Sequence, residues 1–199
     1  MTPLLLGLRG PELGADEREL FARLQPAGYI LFSRNIVDAR QTRALTDQLR
    51  SLHTLDPILA IDQEGGRVTR TKEIAPVVPS APDLAALGDP RQIGRAGVLT
   101  ADLLRLLGFN LNFAPVLDLD HFPGTQNALR GRTWGRDPQR VIDHAGMWNR
   151  WMRKRSIRSC GVIPQVVGLI CNGVFDEFPD MRFMVLEAGF SWLPHVMWR

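Results

Sequence analysis

Cysteine is scarce: the 199 residues hold only Cys160 and Cys171, with ten residues between them and no His or Cys partner at metal-ligand spacing. Such usage argues against a disulfide framework and a zinc site, and implies reduced thiols in a cytoplasmic protein. Long apolar runs are also missing. No stretch approaches the ~18 consecutive apolar residues of a membrane helix, and Met1-Thr2-Pro3-Leu4-Leu5-Leu6-Gly7-Leu8 has no basic region ahead of its leucines. That run is therefore expected to be a first strand, not a secretion signal. Neither charge prevails, with 24 Lys+Arg against 21 Asp+Glu. The excess is local: between Arg130 and Arg158 nine Lys/Arg stand against Asp137 and Asp143. Trp148 and Trp151 sit there among apolar positions at helical spacing, so the basic residues read as a solvated helix face. No groove-reading motif accompanies them, and nucleic acid is not an expected partner. Internal repeats and low-complexity segments are absent.

What is present is enough for a core. Hydrophobic residues make up 45% of the chain, and the length suits one domain or a small pair. Strand and helix signals alternate. Strands are expected at Leu4 to Leu8, Gly28 to Phe32, Pro57 to Ile61 and Asn110 to Val116. Helices are expected at Ala15 to Leu24, Asp38 to Leu52, Asp89 to Leu107 and Asp137 to Arg155, and acids near their starts suit the positive helix ends. Ala85 to Gly88 reads as a turn before the third of these helices. Repeated strand–helix units imply parallel strands with right-handed crossovers.

The stretch Ala60-Ile61-Asp62-Gln63-Glu64-Gly65-Gly66-Arg67-Val68 stands out. An apolar, β-branched run changes abruptly into two acids, two glycines and an arginine, as a strand does when it delivers polar groups to a mouth. Asp62 and Glu64 share a face if the strand continues that far. Taken alone, Asp62 is a loop cap and Glu64 a partner of Arg67.

The order of three motifs changes that reading. Gly28-Tyr29-Ile30-Leu31-Phe32-Ser33-Arg34-Asn35, then Asp62 to Val68, then Asn112-Phe113-Ala114-Pro115-Val116-Leu117-Asp118 together resemble the N-terminal barrel of glycoside hydrolase family 3, most closely its β-N-acetylhexosaminidase branch. The resemblance covers about Leu4 to Gly161. It implies an α/β fold of the TIM-type (βα) barrel class, here incomplete with about six strand–helix units, and a site on the loops after the strands, where Asp62 and Asp118 fall. It also implies an amino sugar or oligosaccharide as the binding partner, with no cofactor. Arg130-Gly131-Arg132-Thr133-Trp134-Gly135 is similar to the family's loop in which an arginine touches the sugar, and that position is Arg132. Asp62 would then accept from two adjacent sugar hydroxyls while the Arg132 guanidinium donates in pairs. His121-Phe122-Pro123-Gly124 looks like part of the family's Lys-His-Phe-Pro-Gly motif, but it stands one loop early and lacks the lysine, so it reads as loop.

The departures bear on activity. A retaining glycosidase needs a nucleophilic carboxylate and a proton donor ~5 Å apart. In this family the donor side follows the fifth strand and the nucleophile is an aspartate after the seventh. Ser156-Ile157-Arg158-Ser159-Cys160-Gly161 looks like the approach to the first, but Val162-Ile163-Pro164-Gln165-Val166-Val167 follows. No catalytic residue is assigned, and Glu64, with its glycine pair and Arg67, is not taken as a substitute. From about Gly173 to Arg199 the chain resembles metal-dependent amidohydrolases of the aminocarboxymuconate-semialdehyde decarboxylase type, with a strand at Phe183 to Leu186. His53, His121, His144 and His195 do not form that family's ligand set, so no metal is expected. The domains expected are 1–161, a family 3-like partial barrel, and 162–199, an amidohydrolase-like tail completing part of it. An open barrel leaves edges that a homodimer could cover. The functional expectation is a β-N-acetylhexosaminidase-like hydrolase with absent or very weak turnover. The alternatives are a non-catalytic amino-sugar binder or scaffold, and an amidohydrolase-like metal enzyme.

Overall fold

The structure, a computed structural model, describes residues 2–121, 124 and 126–159. Its elements run β1 (Thr2–Gly7), α1 (Ala15–Leu24), β2 (Pro26–Leu31), α2 (Ala39–Ser51), β3 (Ile58–Ile61), α3 (Ala81–Leu87), α4 (Pro90–Leu106), β4 (Leu111–Asn112), α5 (Pro138–Lys154) and β5 (Arg158–Ser159), with a short 3-10 turn at Ser33–Asn35. The five strands form one parallel sheet in chain order. Such a sheet carries its connecting helices as right-handed crossovers, the beginning of a βα barrel. The sixth strand expected at Phe183 to Leu186, and the whole stretch from Cys160 on, lie outside the described residues, as do Phe122 and Pro123.

Helix starts follow directly from the sequence. Asp38, Asp89 and Asp137 are N-caps whose carboxylates accept from the backbone N–H of Gln41, Arg91 and Arg140. After Asp89 and Asp137 comes a proline, whose missing N–H costs nothing in the first turn. One expectation fails: Ala85 to Gly88 is not a turn before a helix but the end of α3. Ser80 and Asp83 cap that helix at one end, and Gly88, at φ 64°, stops it at the other. The cap signal, Ser80 with an acid three residues on, was present just upstream. The fourth strand is also shorter than expected, because only Leu111 and Asn112 pair with both neighbours, and the Ala114–Pro115 peptide that follows is cis.

The core lies between sheet and helices. Tyr29, Leu31, Leu59 and Ile61 from the strands meet Leu45, Leu49, Ile93, Leu104, Trp148 and Met152 from the helices, all buried. β3 is buried along most of its length, as a strand covered on both faces must be. Two close approaches depend on glycine. A Cβ on Gly28 would lie 2.2 Å from the Ile58 carbonyl oxygen, so β2 and β3 meet there only without a side chain, and a Cβ on Gly97 would lie 2.7 Å from the Trp148 carbonyl oxygen, where α4 crosses α5.

Candidate functional site

The site grows from the end of β3. The strand stops at Ile61, so Asp62 and Glu64 do not share a strand face as they would have in a longer strand. Asn112, at the end of β4, holds the departing chain: its Oδ1 accepts from the Gln63 N–H at 2.8 Å and its Nδ2 donates to the Gln63 carbonyl at 2.9 Å. Gln63 is 1% exposed, and its Oε1 accepts from the Arg70 N–H at 2.8 Å. A buried amide satisfied in this way fixes the loop at both ends.

Between those ends the chain folds tightly. Glu64 N–H donates to the Val68 carbonyl at 3.0 Å, and Gly66 N–H to the Val78 carbonyl at 2.8 Å. Gly65 and Gly66 have φ of 97° and 54°, and a Cβ on either would meet Pro79 or Ser80 at 2.6 Å. Both glycines are therefore required by conformation and by space together.

Charged groups converge on this frame. Asp62 Oδ2 accepts from Arg70 Nη2 at 3.1 Å. The Arg70 guanidinium lies 5.7 Å from the Phe32 ring centroid and that of Arg34 4.8 Å from it, so both cations stand over this ring. Arg132 forks onto Glu64, Nε to Oε2 at 2.9 Å and Nη2 to Oε1 at 2.6 Å, while its Nη1 donates to the Ala128 carbonyl at 3.1 Å. The Glu64 side chain is 8% exposed and that of Arg132 27%. Hydrogen bonding to Glu64, with smaller contributions from the fields of Asp62 and Asp118, raises the Arg132 pKa above its ordinary value, against the opposing effect of burial. Glu64 thus pairs with Arg132 and not with Arg67, whose guanidinium goes to the Ala128 carbonyl instead. A planar fork matched to a carboxylate outcompetes a sequence neighbour whose side chain points elsewhere.

Asp62 and Arg132, the two residues singled out from the sequence, are held by separate partners, Arg70 and Glu64, and Asp62 reaches Arg132 through its field. Sequence reasoning did not identify Arg70, Gln63 and Asn112 as members of the site. The available signal for Arg70 was a second arginine, three residues beyond Arg67, in the same loop. Gln63 and Asn112 act through hydrogen bonds between loops distant in sequence, for which there is no local pattern. His121 lies within the described residues, but its neighbours Phe122 and Pro123 do not.

The chain is similar to known proteins over about four fifths of its length. A β-hexosaminidase of Alkalilimnicola ehrlichii is 38% identical over 168 residues, covering 81% of this chain and 47% of the relative. Native NagZ from Neisseria gonorrhoeae superposes with a TM-score of 0.75 at 30% identity, covering 80% of this chain and 48% of that one. NagZ from the same organism in complex with N-trifluoroacetyl-D-glucosamine gives a TM-score of 0.73 at 29% identity, with 80% and 49% covered. The chain thus spans about half the length of the relatives it matches. Residues 6–166 match the glycosyl hydrolase family 3 N-terminal domain, and the chain belongs to that family.

Proposed function

We propose that this chain carries the amino-sugar-binding part of a β-N-acetylhexosaminidase site, recognising terminal N-acetylglucosamine through Asp62 and Arg132. The observation that carries the reading is the convergence of Asp62–Arg70 and Glu64–Arg132 at the end of β3. A carboxylate accepts from vicinal hydroxyls, and an arginine already oriented by a buried partner donates without first being ordered. The amino-sugar ligand held by a NagZ structure of this fold supports the same class of ligand here. The linkage broken by the full reaction, with retention, is that of a terminal N-acetylglucosamine. Turnover by this chain alone is expected to be absent or very weak, because no nucleophile or proton donor is assigned to it.

The proposal includes a partial barrel over 1–161 joined to the tail at 162–199, and a homodimer that covers the sheet's outer edges. A cytoplasmic location, inferred from the two cysteines, belongs with it. No helix among the described residues is long and apolar enough to cross a membrane.

Calorimetric titration with N-acetylglucosamine tests the site. Wild type is expected to bind, Asp62→Ala to lose binding with its fold intact, and the double change with Arg132→Ala to bind nothing. A folded wild type that ignores the sugar removes the functional reading. Rapid hydrolysis of an aryl N-acetylglucosaminide, lost in Asp62→Ala, would instead show that the catalytic groups are present.

A further inference from the structure

A second concavity lies between the 75–79 segment, α3 and α4, on residues that take no part in the charged cluster. It encloses about 450 Å³, within the ~300–1,000 Å³ range of small-molecule sites. Buried Leu84 forms its floor, whereas the lining residues Val77, Leu87 and Leu99 are 51%, 62% and 56% exposed. Scattered exposed aliphatic residues are ordinary, but a valine and two leucines around one groove form a patch that gains free energy when covered. The polar side chains lining it are Gln92 and Arg95, both exposed. Among the described residues Arg95 forms no ion pair and no hydrogen bond through its side chain, and no carboxylate lines the groove. Arg105, on the same helix, is by contrast paired with Asp102.

The groove therefore combines an open aliphatic wall with one uncompensated positive charge. An aliphatic chain ending in a carboxylate matches both features: the chain covers the leucines, and the guanidinium fork takes the two carboxylate oxygens. A neutral apolar ligand would leave Arg95 unmatched, and a small anion would leave the wall exposed. We propose that this groove binds a medium-chain aliphatic monocarboxylate, its head on Arg95 beside the Gln92 amide and its chain along Val77, Leu87 and Leu99.

Titration calorimetry of the full chain with decanoate, decanol and acetate, each up to ~1 mM, tests this at the weak end of specific affinity. Decanoate is expected to bind saturably at one site, and acetate not to compete with it. Arg95→Gln should weaken decanoate about tenfold, the size of one charge-assisted contact, while leaving decanol unchanged. Leu99→Asp, at an exposed helix position, should abolish both while circular dichroism shows the fold retained, and Asp62→Ala should bind decanoate as wild type does. Equal decanoate affinity in wild type and Arg95→Gln, full binding in Leu99→Asp, or no saturable decanoate binding by folded wild type would each overturn the proposal.

Discussion

Glu64 is nearly buried and rests on one arginine, so the two members of that pair are not equivalent. Arg132→Ala leaves a desolvated carboxylate without its partner, which for buried pairs costs ~3–5 kcal/mol; with Arg132 itself 27% exposed and water able to reach the vacated space, a loss of about 2 kcal/mol is expected. Adding Glu64→Gln should recover part of that loss, because an amide is cheaper to leave unpaired than a charge. Urea unfolding of the single and double variants measures this, and a double variant as unstable as the sum of the singles would show that the fork contributes nothing. Two histidines set a pH dependence. Burial lowers the pKa of His53, whose Nε2 lies 2.8 Å from the Tyr29 hydroxyl, and Tyr29 itself is pushed up to about 12 by burial. Burial lowers that of His144 too, assisted by Arg140 and opposed by Asp143. In both, the unfolded chain binds the proton more readily than the folded one. Their contribution is therefore fully present above the ordinary imidazole value of ~6.5 and is lost as pH falls through the lower folded values. The thermal midpoint should drop between about pH 7 and pH 5, with a shallower slope in His53→Gln; an unchanged slope would remove His53 from the account.

At the scale of elements, α4 packs against α5, and two glycines one turn apart permit the approach. Gly94 and Gly97 predict opposite outcomes for the same substitution. Alanine raises intrinsic helix propensity by ~1 kcal/mol at either position. At Gly97 the new methyl meets the Trp148 backbone oxygen at 2.7 Å, an atom that cannot move without displacing α5, so Gly97→Ala should destabilise by about 2 kcal/mol, as overpacking does. At Gly94 it meets the Trp151 indole at 2.6 Å, a half-buried ring on which Lys154 stacks at 4.5 Å. That ring can swing outward, so Gly94→Ala should lie within about 1 kcal/mol of wild type. Denaturant midpoints decide between them, and equal losses would mean that helix separation is not fixed by the backbone contact. The starts of α2, α4 and α5 were legible in the sequence, since Asp38, Asp89 and Asp137 each mark one by local hydrogen bonding alone, whereas α3 was read as a turn. The length of β4 was not, because which of its residues pair depends on β3 and β5.

For the whole molecule, the sheet's order β1 to β5 leaves an outer edge at each end without a partner strand among the described residues. Unpaired parallel edges favour association, so sedimentation of the purified chain should give the mass of the proposed dimer. A compact monomer that binds no apolar dye would remove that part of the proposal. The sequence by itself determined the alternation of strands and helices, the parallel fold, the family, and the placing of Asp62 and Arg132 on loops after strands. These follow from periodicity, caps and motif order, which act over a few residues or repeat along the chain. Only the tertiary structure decided that Glu64 takes Arg132 rather than Arg67, that Arg70 holds Asp62, and that Gln63 and Asn112 lock the loop. Each of these is a choice between partners brought close by strand pairing, where geometry and desolvation outweigh nearness in sequence.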